Sequence, residues 1–520
     1  MTISRAEYEE LQGQKERISA LEKQIELLTE AIRLSRYKRF GASSEQTSED
    51  GIEQLSLLFN EAEVYADQAA KEDDGSVAVT AHKRHKKHEY TLNELPENVP
   101  VEIVEHRLPE EELICPECGK TMTEIGKEVR RRLKLIPAQA VVVEDRYYTY
   151  ACQNCGKDDT EMPIVKASKE PNFIPGSFAT PEATAHLMVQ KFVMGSPLYR
   201  QEQELKCQGI PLSRQTMSNW LLWSAKHLLV PVYDLLHQEL LKQDVLHADE
   251  TELQVLHEPG KTAQSKSYLW LYRTSGDTDR PIVLYEYQPG RGTCHPKKFL
   301  DSFKGYLHTD GYKVYRNLSD EITVVGCWAH ARRKFDEAMK SLPKGKAKNS
   351  TAAQGVAYCD LLFKIEGGLA DLSPEERYDQ RLKQEKPVLD ALLAWANSKT
   401  VTPKSILGKA LSYLKDEWPY LLNYLNDGRL ELSNNRAERS MKPFVIDRKN
   451  FLFANTPSGA KSSAVIFSLI QTARENGLDP YRYLTWLLSS AANMDLTQPD
   501  AVQSLLPWNA PDLCKANLKA

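Results

Sequence analysis

Three acidic residues, far apart in the chain, sit where a carboxylate is hard to explain as ordinary surface charge. Asp249 lies in the middle of VLHADETELQV (245–255), a strand-like segment whose apolar character predicts burial. A carboxylate there is costly unless something cationic pairs with it. Asp310 closes the strand-like run GYLHTD (305–310), and Glu438 lies in the helical stretch NNRAERSMKP (434–443). One carboxylate on a first strand, one on a neighbouring strand and one on a distal helix can meet in space. Such a trio would hold two divalent cations, Mg²⁺ or Mn²⁺, and make a phosphoryl-transfer site. The carboxylates would position metal and need move no protons themselves.

Alternation along the first strand chooses between Asp249 and its neighbour, because successive side chains face opposite ways. Val245, Leu253 and Val255 share the face of Asp249, whereas Glu252 and Gln254 share that of Glu250. Asp249 is therefore expected inward and Glu250 toward solvent. Each of the other two acids has a plain alternative. Asp310 could be a turn residue before Gly311, and Glu438 a solvated helix charge beside Arg439 or Lys442.

The elements needed to position these acids can be read from the change of period after residue 243. DVLHADETELQVL, SYLWLYRT and PIVLYEYQ read as strands, followed by a helix at HPKKFLDSF, the strand ending at Asp310, and TVVGCWAH running into a helix at ARRKFDEAMK. Three strands, helix, strand, strand-helix is the order of a ribonuclease-H-like α/β core. We assign residues 240–340 to its first part, 341–430 to an all-helical insertion, and 431–475 to a second part with the third carboxylate. Within the insertion, Ser373-Pro374-Glu375-Glu376 reads as a capping box with Pro at the first helical position. Residues 476–520 read as a C-terminal helical segment that loosens into a tail after about 495. His330, in GCWAH, is a possible accessory group, while Arg332, Arg333, Arg448 and Lys449 are candidates for DNA phosphates.

Upstream lies apparatus of a different kind. Residues 1–42 carry a heptad pattern, with Leu11, Ile18, Ile25 and Ile32 at one seam position and Leu21 and Leu28 at the other. A coiled coil and a homodimer or higher oligomer are expected. Residues 43–95 are a polar linker ending in AHKRHKKHEY, where Lys83, Arg84, Lys86 and Lys87 could form a phosphate-contacting arm. Residues 96–170 are β-rich and contain CPECGK and CQNCGK. Cys115, Cys118, Cys152 and Cys155 would close a tetrahedral structural zinc site with no open position for catalysis. Residues 171–235 read as a helix-turn-helix, with a turn at Gly209 to Pro211 and a second helix capped by Ser213. Arg214, Gln215, Ser218 and Asn219 fall on the polar side of that helix.

Bulk properties fit a multidomain α/β protein. The chain has 520 residues, 41% apolar and 27% charged, with formal net charge −5, so any nucleic-acid binding must rest on local patches. No run approaches the ~18 apolar residues of a membrane span, and the first residues hold no signal-peptide core. A cytoplasmic protein is expected. In a reducing cytosol, paired CxxC among nine cysteines suggests metal more than disulfide.

These residues together resemble the transposases of the insertion sequence 66 family, bacterial DDE enzymes. The stretches that carry the resemblance are RYKRFGASSE, CPECGK, SPLYRQEQELKCQGIPLSRQTMSNWL, LHADET, HTDGYKVY, GCWAHARRKF, SNNRAERSMKPFVIDRKNFLFAN and SLIQTARENGLDPYRYL. ETELQV after Asp249 and Cys294 in GTCHPKKF depart from the family pattern. The resemblance implies a leucine-zipper-like N-terminus, a zinc-binding domain, a helix-turn-helix and an interrupted ribonuclease-H-like core with Asp249, Asp310 and Glu438 as its catalytic acids. It also implies cleavage at element ends, 3′-OH strand transfer into target DNA, and element-encoded accessory proteins as partners. A nuclease on the same core and a decayed, purely DNA-binding copy remain alternatives. The cysteine spacing predicts one zinc per chain in the purified protein. Elemental analysis should find that zinc lost in Cys118→Ser.

Overall fold

The computed structural model describes residues 5–40, 141–151, 164–166, 172–343 and 345–516. The four zinc-type cysteines and the basic arm at Lys83, Arg84, Lys86 and Lys87 lie outside the described residues. From the stretch expected to be β-rich, Thr149–Ala151 (β1) pairs antiparallel with Ile164–Lys166 (β2). Residues 141–148 form no strand.

The N-terminal heptads form one helix, Arg5–Phe40 (α1). Ile18, Leu21, Ile25, Leu28 and Ile32 are all exposed. A different stripe, Leu27, Glu30 and Leu34, is partly buried, and the Glu30 carboxylate accepts from Ile406 N at 3.3 Å.

Three helices follow: Pro181–Phe192 (α2), Leu198–Cys207 (α3) and Arg214–Ser224 (α4). The α3–α4 turn closes at Gly209, whose φ of +81° suits glycine. Ser213 caps α4 by accepting from Thr216 N at 3.2 Å. Glu202 of α3 accepts from Arg214 N at 2.9 Å, so the two helices share one helix start. Val230–Leu241 (α5) leads into the sheet.

That sheet has five strands: Val245–Gln254 (β3), Lys266–Thr274 (β4), Val283–Gln288 (β5), Gly305–His308 (β6) and Ile322–Val325 (β7), in the order β5-β4-β3-β6-β7. The β3–β4 and β4–β5 pairs are antiparallel, while β3–β6 and β6–β7 are parallel. A short helix, Cys294–Phe299 (α6), precedes β6, and Trp328–Lys340 (α7) follows β7. The first half of β3 is buried on both faces, as befits a central strand under two layers.

Both sheet edges are covered, which removes the exposed ladder that invites unwanted pairing. At β5, Thr472 Oγ1 accepts from Val283 N at 3.0 Å and Ser468 Oγ accepts from Tyr285 N at 2.8 Å. Those hydroxyls stand four residues apart, hence on one face, of Pro457–Glu475 (α12). At β7 the cover comes from the predicted helical insertion. Its helices are Thr351–Gly368 (α8), Pro374–Ser398 (α9) and Ile406–Leu421 (α10). Just after α10, Asn423 Nδ2 donates to Val324 O at 2.7 Å; Gly326 N donates to Tyr420 O at 2.9 Å. The capping box on α9 forms as read: Glu376 N donates to Ser373 Oγ at 3.3 Å, and Ser373 N to the Glu376 carboxylate at 3.1 Å. A second hydrophobic core joins Val245, Val325, Trp328 and Phe335 to Leu389, Leu392, Leu411 and Leu414 of the insertion.

The chain returns through Asn435–Phe451 (α11), packed on β3, then α12 and Pro480–Ala491 (α13). The expectation of a loose tail after residue 495 is corrected. Pro499–Ser504 (α14) and the turns after it bury Leu505, Leu506 and Cys514. Tyr483 Oη donates to Leu505 O at 3.0 Å, and Asp479 N to Cys514 O at 2.8 Å. Three prolines and interspersed polar residues break any helical or strand period there, yet a few well-placed apolar ones suffice to anchor it.

Covering the β5 edge by hydroxyls has a testable cost. Thr472→Val keeps shape but leaves a buried N–H unpaired, so stability should fall by about 1–3 kcal/mol, read from the thermal unfolding midpoint.

Candidate active site

The parallel register of β3 and β6 sets the first two acids. His247 faces His308 across the pair; β3 runs on through Asp249, and two residues past the end of β6 the chain reaches Asp310. Neighbouring strands run about 4.8 Å apart, so these carboxylates emerge side by side from one end of the sheet. Asp249 Oδ1 accepts from Glu250 N at 2.8 Å. Asp310 Oδ1 accepts from Tyr312 N at 2.9 Å across Gly311. Gly311 has φ +90°, and a Cβ there would lie 2.9 Å from Tyr413 Oη. Tyr413 itself donates to Asp310 O at 3.1 Å, so the insertion braces the second acid.

Glu438 is in the first turn of α11. Its Oε2 lies 3.4 Å from an Arg333 guanidinium nitrogen and its Oε1 lies 3.6 Å from His330 Nδ1. Both Glu438 Oε1 and His330 Nδ1 are buried without a hydrogen-bond partner. His330 and Arg333 come from the start of α7. Burial first, and then the positive charge of Arg333, lowers the His330 pKa below its ordinary value.

Glu250 does not face solvent. Its side chain is only 1% exposed. Tyr315 Oη donates to it at 2.6 Å, and Arg291 Nε at 3.0 Å. Arg291 lies over the Tyr312 ring, 3.7 Å from its centroid. Strand parity was right; what the alternation rule lacked was the β6–β7 connection, whose Tyr312 and Tyr315 cover that face. Arg291 and Tyr315 were not foreseen as part of the site.

The remaining candidates divide. Arg332 is held by Asp360 of α8 at 2.5 Å, away from Glu438. Arg448 docks on β3, donating to Thr251 Oγ1 at 3.2 Å and to the carbonyl of Glu252. Lys449 is exposed. On α4, Arg214, Gln215 and Asn219 are exposed and Ser218 is half-buried; Gln215 Nε2 donates to Asn219 Oδ1 at 3.0 Å.

The electrostatics of the acidic group are unfavourable as it stands. Burial first, and then the charges of Glu250, Asp310 and Glu438, push the Asp249 carboxyl well above its ordinary range. Glu250 is raised as well, by burial and by Asp310. Among the described residues, no three His, Cys, Asp or Glu side chains close on one point as a finished metal cage. The donor set nevertheless fits a hard divalent cation, because carboxylate oxygens are its preferred ligands. The orphaned Glu438 Oε1 and the crowding at Asp249 are both relieved by positive charge.

Residues 176–462 match the family described as Transposase IS66 family. Residues 112–156 match a zinc-finger binding domain of transposase IS66, a range that brackets all four CxxC cysteines. Residues 468–508 match the IS66 C-terminal element, and 27–104 match Transposase C of IS166 homeodomain. The uncharacterized protein y4hP of Sinorhizobium fredii is 30% identical over 512 residues, covering 94% of this chain and 88% of the relative. Uncharacterized protein y4jD of the same organism is 31% identical over 415 residues, covering 76% and 78%.

Because its pKa is raised by folding, Asp249 takes up a proton more readily in the folded than in the unfolded chain. Its ionised form therefore weakens the metal-free fold above the folded pKa, and that penalty fades as pH falls toward the unfolded value near ~3.9. Asp249→Asn should unfold at higher temperature than the parent at neutral pH without metal, by roughly 1–2 °C per kcal/mol relieved. The gap should narrow on acidification. Melting curves of both proteins across pH check this, and a variant melting below the parent at neutral pH would contradict it.

Proposed function

The chain belongs to the IS66 family of transposases, and from that membership we propose that it cleaves DNA at the ends of its insertion element and transfers the freed 3′-OH to target DNA. The observation that carries this reading is the convergence on Asp249 of charge from Asp310, just past the end of β6, and from Glu438 of α11, which together with burial pushes the Asp249 carboxyl well above its ordinary range. The strand order, with an antiparallel β3–β4–β5 side and a parallel β3–β6–β7 side, supports a ribonuclease-H-like core.

Asp249 and Asp310, with Glu438 opposite, would hold the divalent cations. Two such ions, when bound, would neutralise the scissile phosphate and lower the pKa of the attacking water or 3′ hydroxyl. The protein's own share is positional. Arg333 keeps Glu438 oriented and is near enough to turn to a phosphate. His330, lowered in pKa and buried beside Glu438, is neutral near pH 7 and would accept rather than repel a hydrogen bond. Arg291 holds Glu250, so that Asp249 is not left beside an uncompensated neighbour.

DNA is reached by other surfaces. The exposed Arg214, Gln215 and Asn219 of α4 suit groove or phosphate contact at element ends. Lys449, on the last turn of α11, suits backbone contact near the site, as do the basic arm around Lys83 to Lys87 and the zinc-binding domain. Self-association through α1 is supported by its two separate faces. The apolar seam of Ile18, Leu21, Ile25, Leu28 and Ile32 is exposed, while Leu27 and Glu30 belong to the partly buried stripe. β-branched residues at one seam position with Leu at the other favour two strands. Among the described residues no helix is long and apolar enough to cross a membrane. The site of action is then the bacterial cytoplasm, with element-encoded accessory proteins as further partners.

The test is a joining reaction with the full chain, Mg²⁺, DNA flanking its own gene and a target plasmid. Metal-dependent joined product should form and fall to background in Asp249→Asn, Asp310→Asn and Glu438→Gln. All three variants should retain end-DNA binding in a mobility-shift assay. Cleavage without joining would replace the transfer step by nuclease chemistry, and full joining by Asp310→Asn would overturn the site.

A further inference from the structure

Below the acids lies a fully buried polar layer that no part of the proposed chemistry uses. His247 and His308 are both 0% exposed, and their rings stack 4.3 Å apart at 10°. Asn434, also 0% exposed, stands at the N-terminal boundary of α11 but makes no side-chain cap to its own helix. Its amide faces the sheet instead. Nδ2 donates to Ala248 O at 2.8 Å, and Oδ1 lies 2.9 Å from His247 Nδ1. A backbone carbonyl can only accept, so the amide nitrogen must face Ala248 and the oxygen must face His247, whose Nδ1 therefore donates. The backbone N–H of Asn434 donates to Cys327 Sγ at 3.1 Å, at the residue that opens α7.

One residue thus touches β3, α11 and the start of α7, and reaches β6 through the histidine stack. Ala248 directly precedes Asp249. Glu438 N bonds to Asn434 O at 3.3 Å, one turn along α11. Cys327 opens the helix of His330 and Arg333. Replacing Asn434 by Asp would aim a carboxylate at the Ala248 carbonyl, and Ala would leave both the carbonyl and the imidazole N–H unpaired.

We propose that Asn434 is a positioning residue, which locks the helix of Glu438 to the strand of Asp249 and thereby sets the spacing of the carboxylates that receive divalent metal. This rests on reading the three acids as the metal-dependent site. Outer groups that orient ligands typically change metal affinity or activity by about 10–100-fold when removed, and that range is the expected effect here.

The experiment titrates Mn²⁺ into the full chain without DNA, following free Mn²⁺ by electron paramagnetic resonance, and measures joining across Mg²⁺ concentrations. The proteins compared are the parent, Asn434→Ala, Asn434→Asp and Glu438→Gln. Asn434→Ala should bind Mn²⁺ at least about tenfold more weakly and need correspondingly more Mg²⁺ for half-maximal joining, with end-DNA binding unchanged. A purely structural role would instead lower the folded fraction and leave the metal dependence of the folded protein where it was. If the Ala variant does not fold, His247→Asn, which keeps a donor near Nδ1, is compared with His247→Leu, which does not. Parent-like metal affinity in His247→Asn with loss in His247→Leu supports the clamp; equal affinity in both overturns it. Equal Mn²⁺ binding by parent and Asn434→Ala also overturns it. If the parent and Glu438→Gln bind Mn²⁺ alike, it is the metal-site reading that fails, a result distinct from failure of the clamp.

Discussion

Like charges held close together are the constraint on which this structure turns. Asp249, Asp310 and Glu438 repel one another, with Glu250 adding a fourth charge, and a chain free to relax would let them separate. Keeping them within reach of one another requires rigid carriers. One acid is therefore in the middle of β3, the second just past the end of its neighbour β6, and the third in the first turn of a helix packed on β3. Local compensation goes where it does least harm: Arg291 and Tyr315 hold Glu250, and Arg333 holds Glu438, while Asp249 and Asp310 each accept from a backbone N–H. Of these two, Asp249 is the one raised by burial and by all three neighbouring acids, so a bound cation would gain the most there.

Rigidity of that kind depends on the sheet edges. A five-stranded sheet has two, and here each is closed by a different device. On the β5 side two hydroxyls of α12 pair with the edge backbone. On the β7 side the insertion does so, and it also braces Asp310 through Tyr413 and joins the second hydrophobic core. The insertion's return path is pinned by buried Arg381, which donates to the carbonyls of Tyr424 and Asp427 at 3.1 Å and of Leu430 at 2.6 Å. Those residues immediately precede α11. An insertion between the second and third acids thus helps to set where the third arrives.

Much of this was legible in the sequence, and what was missed was missed for definite reasons. Strand and helix order, the α9 capping box, the Ser213 cap and the inward face of Asp249 follow from local rules of period and capping, and those rules operate within a few residues. Glu250 was misjudged because burial of a strand face is decided by whatever chain returns over it, here Tyr312 and Tyr315 some sixty residues later. The ordered segment after residue 495 was missed for the same reason. Its anchors, Leu505, Leu506 and Cys514, are few and become apolar contacts only once α13 and α5 are in place. Arg332 and Arg333 are adjacent and chemically alike, yet one helix step of about 100° sends the first to Asp360 and the second to Glu438.

One signal was present in the text and went unused. Both acids close the same four-residue pattern, Leu-His-x-Asp, three residues of which are identical: Leu246-His247-Ala248-Asp249 and Leu307-His308-Thr309-Asp310. Period-two alternation places His247 and Asp249 on one face of β3, the parallel register brings His247 beside His308, and Asp310 follows two residues past the end of β6. Under two mutually repelling acids the layer below must be buried without adding charge. Burial lowers both histidines, His247 to about 3, so both are neutral and can stack face to face where two cations could not. A neutral imidazole still offers a donor and an acceptor, which an apolar side chain does not, and Asn434 uses the donor of His247. The repeated tetrapeptide therefore encodes two layers, an acidic one that can receive metal and a neutral one to which the third acid's helix is tied.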